Sequence, residues 1–264
     1  MSSPGSEGTK AISLDVERLD TLTEKLHALI HQDYISDLTP SERYQVIASG
    51  FTPVFAMLLA LNFAENVVLA MLLFHVVCCI MIPQLLLRKF KLAHLDLTEE
   101  FFRFEKKGMV VGTVLGVGAL VMALGCYALF YDYIPNLKDN ASKFDLDKYH
   151  LNALFLIGAY FVLVNPVIEE YFWRTYLYKT LAYRSERYNM FISFQYALYH
   201  LVPALNLINV GASIAGFFGL IAVGRLFAYL RVKYGVICSV ILHLFGDLSI
   251  GLVFYLRVVV GWPQ

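Results

Sequence analysis

The chain has 264 residues, of which 58% are hydrophobic and 16% charged, and its formal net charge is zero. A soluble globular domain carries about 25% charged residues, so this composition, with a mean hydropathy of +0.61, excludes one and points to a single-domain integral membrane protein. The balanced charge offers no basic surface for nucleic acid, and the first partner implied is the lipid bilayer.

Residues 1–10 are rich in Gly and Ser and are expected to lack regular structure. Leu19, Leu22, Leu26 and Leu29 then step by three and four, the pattern of an amphipathic helix lying on the membrane or on the bundle. Residues 1–40 are therefore read as a cytosolic tail with an amphipathic helix, and 41–264 as a transmembrane helical domain. No cleavable signal peptide is expected, because about forty polar residues precede the first apolar segment. Thr39-Pro40-Ser41-Glu42 reads as a helix start, with Thr39 as N-cap, Pro40 in the first helical position and Glu42 closing a capping box.

Crossing a hydrocarbon core about 30 Å thick takes roughly 20 apolar residues. Candidate spans are about 45–62, 67–87, 108–131, 150–178, 189–206, 210–230 and 235–256. The fold class expected is all-α: a polytopic bundle of about seven to eight membrane helices around a central polar cavity. The fourth span is long and contains Pro166, which predicts a kink or an extension beyond the membrane. Gly108, Gly112, Gly116 and Gly118 in the third span suit close helix approach. The four cysteines all lie in apolar segments without metal-binding spacing, and read as small packing residues.

Basic residues set the orientation. With seven spans, Arg88, Lys89, Lys91, Arg103, Lys106, Lys107, Lys179, Arg184, Arg187, Arg231 and Lys233 fall on the side of the N-terminus. Lys138, Lys143, Lys148 and Arg257 fall on the other. The expected N-terminus is cytoplasmic, in the plasma membrane if the protein is bacterial or the endoplasmic reticulum if eukaryotic. Asn140-Ala141-Ser142 is a weak glycosylation sequon on the outer side.

Ionisable groups inside apolar helices cost roughly 2.5–3.5 kcal/mol each on insertion scales and mark functional sites. Glu169-Glu170-Tyr171-Phe172-Trp173-Arg174 ends one apolar run; His200 lies in the next, and His243 with Asp247 in the last. At 1.5 Å per residue, Glu169, His200 and His243 lie roughly 15, 18 and 15 Å below the cytoplasmic boundary. A shared depth from three helices implies a shared cavity. Glu170 and Arg174 are four apart and face each other. Glu169 is rotated about 100° away and lacks a local cation, so a partly desolvated, unpaired carboxylate is left that suits a general base. His243 and Asp247 share one helix face, where Asp247 orients or charges the imidazole, or both donate to a developing oxyanion.

These motifs, in this order, resemble the CPBP family of CAAX proteases and bacteriocin-processing enzymes, also called Abi. The family pattern is E-E-x-x-x-R, then aromatic-x-x-x-H, then H-x-x-x-N/D. Here these are Glu169 to Arg174, Tyr196-Ala197-Leu198-Tyr199-His200, and His243-Leu244-Phe245-Gly246-Asp247. The likeness covers about residues 150–250, and the CPBP-like catalytic core is placed at about 150–256. The resemblance implies an intramembrane endopeptidase that hydrolyses a membrane-associated peptide or protein, with or without a prenyl group. Carried over by position, Glu169 and His200 activate water, His243 and Asp247 stabilise the tetrahedral intermediate, and Glu170 and Arg174 hold the helix geometry. The chain departs from the prenyl endopeptidases at Asp247, where they have asparagine. An ionised aspartate cannot donate to an oxyanion, so it is protonated, orients His243 or binds a metal.

Other readings compete with this one. A zinc ion held through Glu169, His200 and His243 is the alternative to a cofactor-free mechanism, though His-x-x-x-Asp is not a zincin motif. A non-proteolytic scaffold or immunity protein of the same family would keep the same residues as a structural network. A proton-coupled carrier is disfavoured because no inverted repeat is detectable. His75, in the second apolar run, has no evident partner and reads as structural, while His27, His31, His94 and His150 lie in polar or boundary segments.

Overall fold

The computed structural model describes residues 38–92, 97, 101, 104–131, 140, 143–144, 151–182 and 185–261. Residues 1–10, the amphipathic stripe Leu19–Leu29, Arg103, Lys138, Lys148 and Arg184 of the charge count, Ala141 and Ser142 of the sequon, and His27, His31, His94 and His150 lie outside the described residues. The chain divides into two units, Met1–Arg43 and Tyr44–Gln264. In the first, Thr39 and Glu42 form the capping box: the Thr39 backbone N–H and hydroxyl donate to Glu42 Oε2 at 2.8 Å, and Glu42 N–H returns to Thr39 Oγ1 at 3.3 Å.

All regular elements among the described residues are helical. α1 is Pro40–Ser49; α2 is Thr52–Met57 and continues as π-helical turns over Leu58–Phe63. α3 (Val67–Leu72) runs through π-helical Leu73–Met81 into α4 (Ile82–Lys89). α5 is Lys106–Phe130 and α6 is Leu151–Leu163. α7 (Asn165–Glu170) continues as π-helical turns over Tyr171–Ala182. α8 is Glu186–Leu207, α9 Val210–Tyr234, and α10 Val236–Phe254 with π-helical Tyr255–Val260.

Among the described residues, six stretches are long and apolar enough to cross a membrane: Pro40–Phe63, Val67–Lys89, Lys106–Phe130, Asn152–Leu181, Val210–Tyr234 and Val236–Val258. The remaining expected span, 189–206, corresponds to α8, whose 22 residues suffice in length. Gln195, His200 and Asn206 lower its hydropathy, and Gln195 is fully buried, donating to the Ile47 carbonyl at 2.9 Å. A helix whose polar residues face protein needs less apolar surface than one facing lipid on all sides. The protein is thus an integral, multi-pass membrane bundle. Its outer faces are apolar, as Met109, Val110, Val114, Val121 and Met122 on α5 illustrate.

The fourth span is broken where its proline predicts. α6 ends at Leu163, Val164 caps the next helix, and α7 begins at Asn165 with Pro166 in its first turn, where the missing N–H costs no helical hydrogen bond. The chain after the break becomes the interior of the bundle: Glu169, Glu170, Phe172, Trp173, Arg174, Tyr176 and Leu177 are all buried. Wide π-helical turns often occur at functional sites, and one run begins at Tyr171, directly after the two glutamates.

α10 packs most extensively on α5, and α8 on α9. Phe227, Leu230, Cys238 and Leu242 form the core between α9 and α10, with Val111 and Ala119 of α5 against it. The close approach of α5 to α10 and to the end of α9 rests on three glycines. A Cβ at Gly108 would strike the Tyr234 carbonyl, one at Gly112 would lie 2.7 Å from the Cys238 carbonyl oxygen, and one at Gly116 would enter the Phe245 ring. Gly118 faces open space instead. Gly235, at φ +80°, makes the turn from α9 to α10, a conformation costly to a side-chain-bearing residue. Replacing Gly112 by Val should lower stability by about 1–3 kcal/mol, because backbone on both sides leaves no room to yield. Gly118→Ala should be neutral or slightly stabilising. Thermal unfolding of the two variants in detergent checks the contrast.

Candidate active site

α7 carries Glu169 and Glu170 on consecutive positions, so their carboxylates diverge and enter different networks. Both are buried. Glu169 Oε2 accepts a hydrogen bond from the hydroxyl of Tyr199 on α8. The same hydroxyl lies 2.9 Å from His200 Nε2, and His200 Nδ1 lies 2.8 Å from the Tyr196 carbonyl oxygen, one turn back. Glu169 and His200 are thus joined through one phenol, within the length of two hydrogen bonds.

Glu170 turns towards α10. Its Oε1 lies 3.0 Å from His243 Nδ1 and its Oε2 lies 3.5 Å from Arg174 Nε. The guanidinium stacks over the rings of Tyr196 and Phe227, at 4.2 and 5.0 Å, so its positive charge is met by π-faces as well as by the carboxylate. His243 Nε2 faces Asp247 Oδ1 at 3.6 Å, an ion-pair distance beyond hydrogen-bond range. The spacing of four between His243 and Asp247 makes Asp247 the expected partner; the structure gives the closer contact to Glu170, from another helix.

Asp247 in turn accepts from Asn165 Nδ2 at 2.8 Å. Asn165 Oδ1 lies 2.7 Å from His75 Nε2, and the Tyr160 hydroxyl lies 2.9 Å from His75 Nδ1. The donors run in one direction. An amide that donates to Asp247 presents its oxygen to His75, so Nε2 carries the hydrogen and Nδ1 accepts from Tyr160. The buried His75, read from the sequence as structural and without a partner, is a link in this chain.

The four expected catalytic residues therefore gather, with Glu170 and Arg174 beside them. The rings of His200 and His243 flank Tyr196, with centroids 4.5 and 6.3 Å from its own. Sequence reasoning missed Tyr199, Asn165, His75 and Tyr160. Two signals were present: Asn165 lies four residues before Glu169 in an apolar run, on the same helix face, and Tyr199 is adjacent to His200. Among the described residues no three His, Cys, Asp or Glu side chains are disposed to hold one metal ion.

A buried acid, two imidazoles and a second acid inside a membrane bundle make a site suited to proton transfer in low dielectric. Residues 151–249 match the family model described as type II CAAX prenyl endopeptidase Rce1-like, a finding consistent with the CPBP family. No curated protein and no solved structure matches the chain.

Removing the Asn165 amide leaves both Asp247 and His75 short of a buried partner. Asn165→Leu should therefore cost about 1–3 kcal/mol. In a double-mutant cycle, Asn165→Ala and His75→Ala should couple by about 0.5–3 kcal/mol rather than add, as measured by denaturation in micelles.

Proposed function

We propose that the protein is an intramembrane endopeptidase that hydrolyses a peptide bond of a membrane-associated, CAAX-type substrate with a water activated by Glu169. The observation that carries the reading is the gathering of Glu169, His200, His243 and Asp247 from three helices inside the bundle, within the segment that matches the family model. Tyr199 holds Glu169 by Oε2. The other carboxylate oxygen, Oε1, is the one available to take a proton from water. Water attack on the scissile carbonyl places negative charge on its oxygen, and the proton removed by Glu169 goes on to the departing amine.

His243 supplies the countercharge. Each of its nitrogens faces a carboxylate oxygen, Glu170 on one side and Asp247 on the other, and a carboxylate only accepts. That arrangement suits an imidazole with a hydrogen on both nitrogens. The Nε2–H, too far from Asp247 for a full hydrogen bond, is the donor left for the oxyanion. Asp247, receiving the Asn165 amide hydrogen, charges and orients His243 rather than donating itself. An aspartate in this position is then compatible with the same hydrolysis. No step needs a metal.

The test is cleavage of a farnesylated peptide ending in a CAAX sequence by protein in lipid nanodiscs, with new termini read by mass spectrometry. Glu169→Gln and His200→Gln should each lower kcat about 10²–10⁴-fold, and His243→Gln about 10²–10³-fold. A metal chelator should leave the wild-type rate unchanged. Wild-type cleavage by Glu169→Gln would falsify the assignment.

A further inference from the structure

We propose that Tyr199 is a positioning and proton-relay residue, whose hydroxyl is the bridge by which a proton passes between Glu169 and His200. This inference rests on the peptidase reading for its consequence, but its physical basis is a count of hydrogens. Three hydrogen bonds run in series: Glu169 Oε2 to the Tyr199 hydroxyl, the hydroxyl to His200 Nε2, and His200 Nδ1 to the Tyr196 carbonyl. A carbonyl oxygen only accepts, so Nδ1 carries a hydrogen. Each remaining contact needs one more. The phenol supplies one; the other sits on Glu169 or on His200 Nε2. The trio thus holds one proton more than a carboxylate, a phenol and a neutral imidazole together.

That proton has two positions, and the phenol oxygen lies between them. When that proton lies on Glu169 Oε2, the Tyr199 oxygen takes it and releases its own hydrogen to His200 Nε2. Two O–H bonds break while one O–H and one N–H bond form; the phenol stays neutral, His200 becomes imidazolium, and Glu169 returns to the carboxylate that takes a proton from water at Oε1. The tyrosine hydroxyl occupies the place between the two groups. Glu169 makes no other hydrogen bond to the described residues. The phenol itself is held rigidly: its ring stacks on Trp173 at 5.6 Å with 9° between planes and on Phe74 at 4.7 Å, and the residue is buried.

Those stacking contacts make the test clean, because phenylalanine keeps them and loses only the hydroxyl. In nanodiscs with the farnesylated CAAX peptide, Tyr199→Phe should lower kcat about 10²-fold, while KM stays at the wild-type value. A tyrosine that served packing alone would leave kcat unchanged, because phenylalanine keeps the ring contacts. A second arm needs no turnover. In protein labelled with ¹⁵N-histidine, the His200 Nε2 resonance, assigned through His200→Gln, should shift in Tyr199→Phe and be restored by 3-fluorotyrosine at 199. An unmoved resonance, or a wild-type kcat in Tyr199→Phe, overturns the proposal. Glu169→Gln runs in parallel. If it still cleaves, the peptidase reading fails and the nitrogen resonance alone decides the bridge.

Discussion

A charged or polar side chain in hydrocarbon has no water to turn to, so its partners have to come from the protein. This constraint organises the bundle. Glu169, Glu170, Arg174, Asn165, His75, His243 and Asp247 are all nearly free of solvent contact, and hydrogen bonds and ion pairs join each to another polar side chain. Removing one member strands its neighbours, which ties the helices that carry them to a single mutual arrangement.

The helix break before Pro166 is what lets the constraint be met. A straight fourth helix would carry Asn165, Glu169 and Glu170 along one continuous ladder. The break and the π-helical turns after Tyr171 bring almost every side chain from Glu169 to Tyr178 into the interior. α5 and α10 close the other side, drawn together by glycines so that His243 and Asp247 on α10 face α7. Close packing thus serves the polar network: small residues where helices touch bring the imidazole and carboxylates within reach.

The two adjacent glutamates illustrate how one dipeptide serves two tasks. Rotated about 100° from each other on the helix, they enter separate networks. Glu170 is shared by Arg174 and His243, and so links α7 to α10. Glu169 meets only a phenol among the described residues, which leaves one carboxylate oxygen for chemistry. In the proposed mechanism Glu170 is the structural acid and Glu169 the reactive one, a division that helical geometry allows by turning the two carboxylates to different neighbours.

Much of this was legible in the chain. Hydropathy dictates a helical membrane protein, because apolar runs of this length have no other stable form in lipid. Spacing of four pairs Glu170 with Arg174, and counting residues from the basic boundary puts Glu169, His200 and His243 at a common depth. The cap at Thr39 and the break at Pro166 are local events, decided by neighbouring residues. The cross-helix partners were not legible. That Tyr199 stands between Glu169 and His200, that Glu170 outcompetes Asp247 for His243, and that Asn165 connects His75 to Asp247 all depend on how helices are rotated against one another. Rotation is set by the fit of many side chains at once, and no local pattern in the chain encodes it.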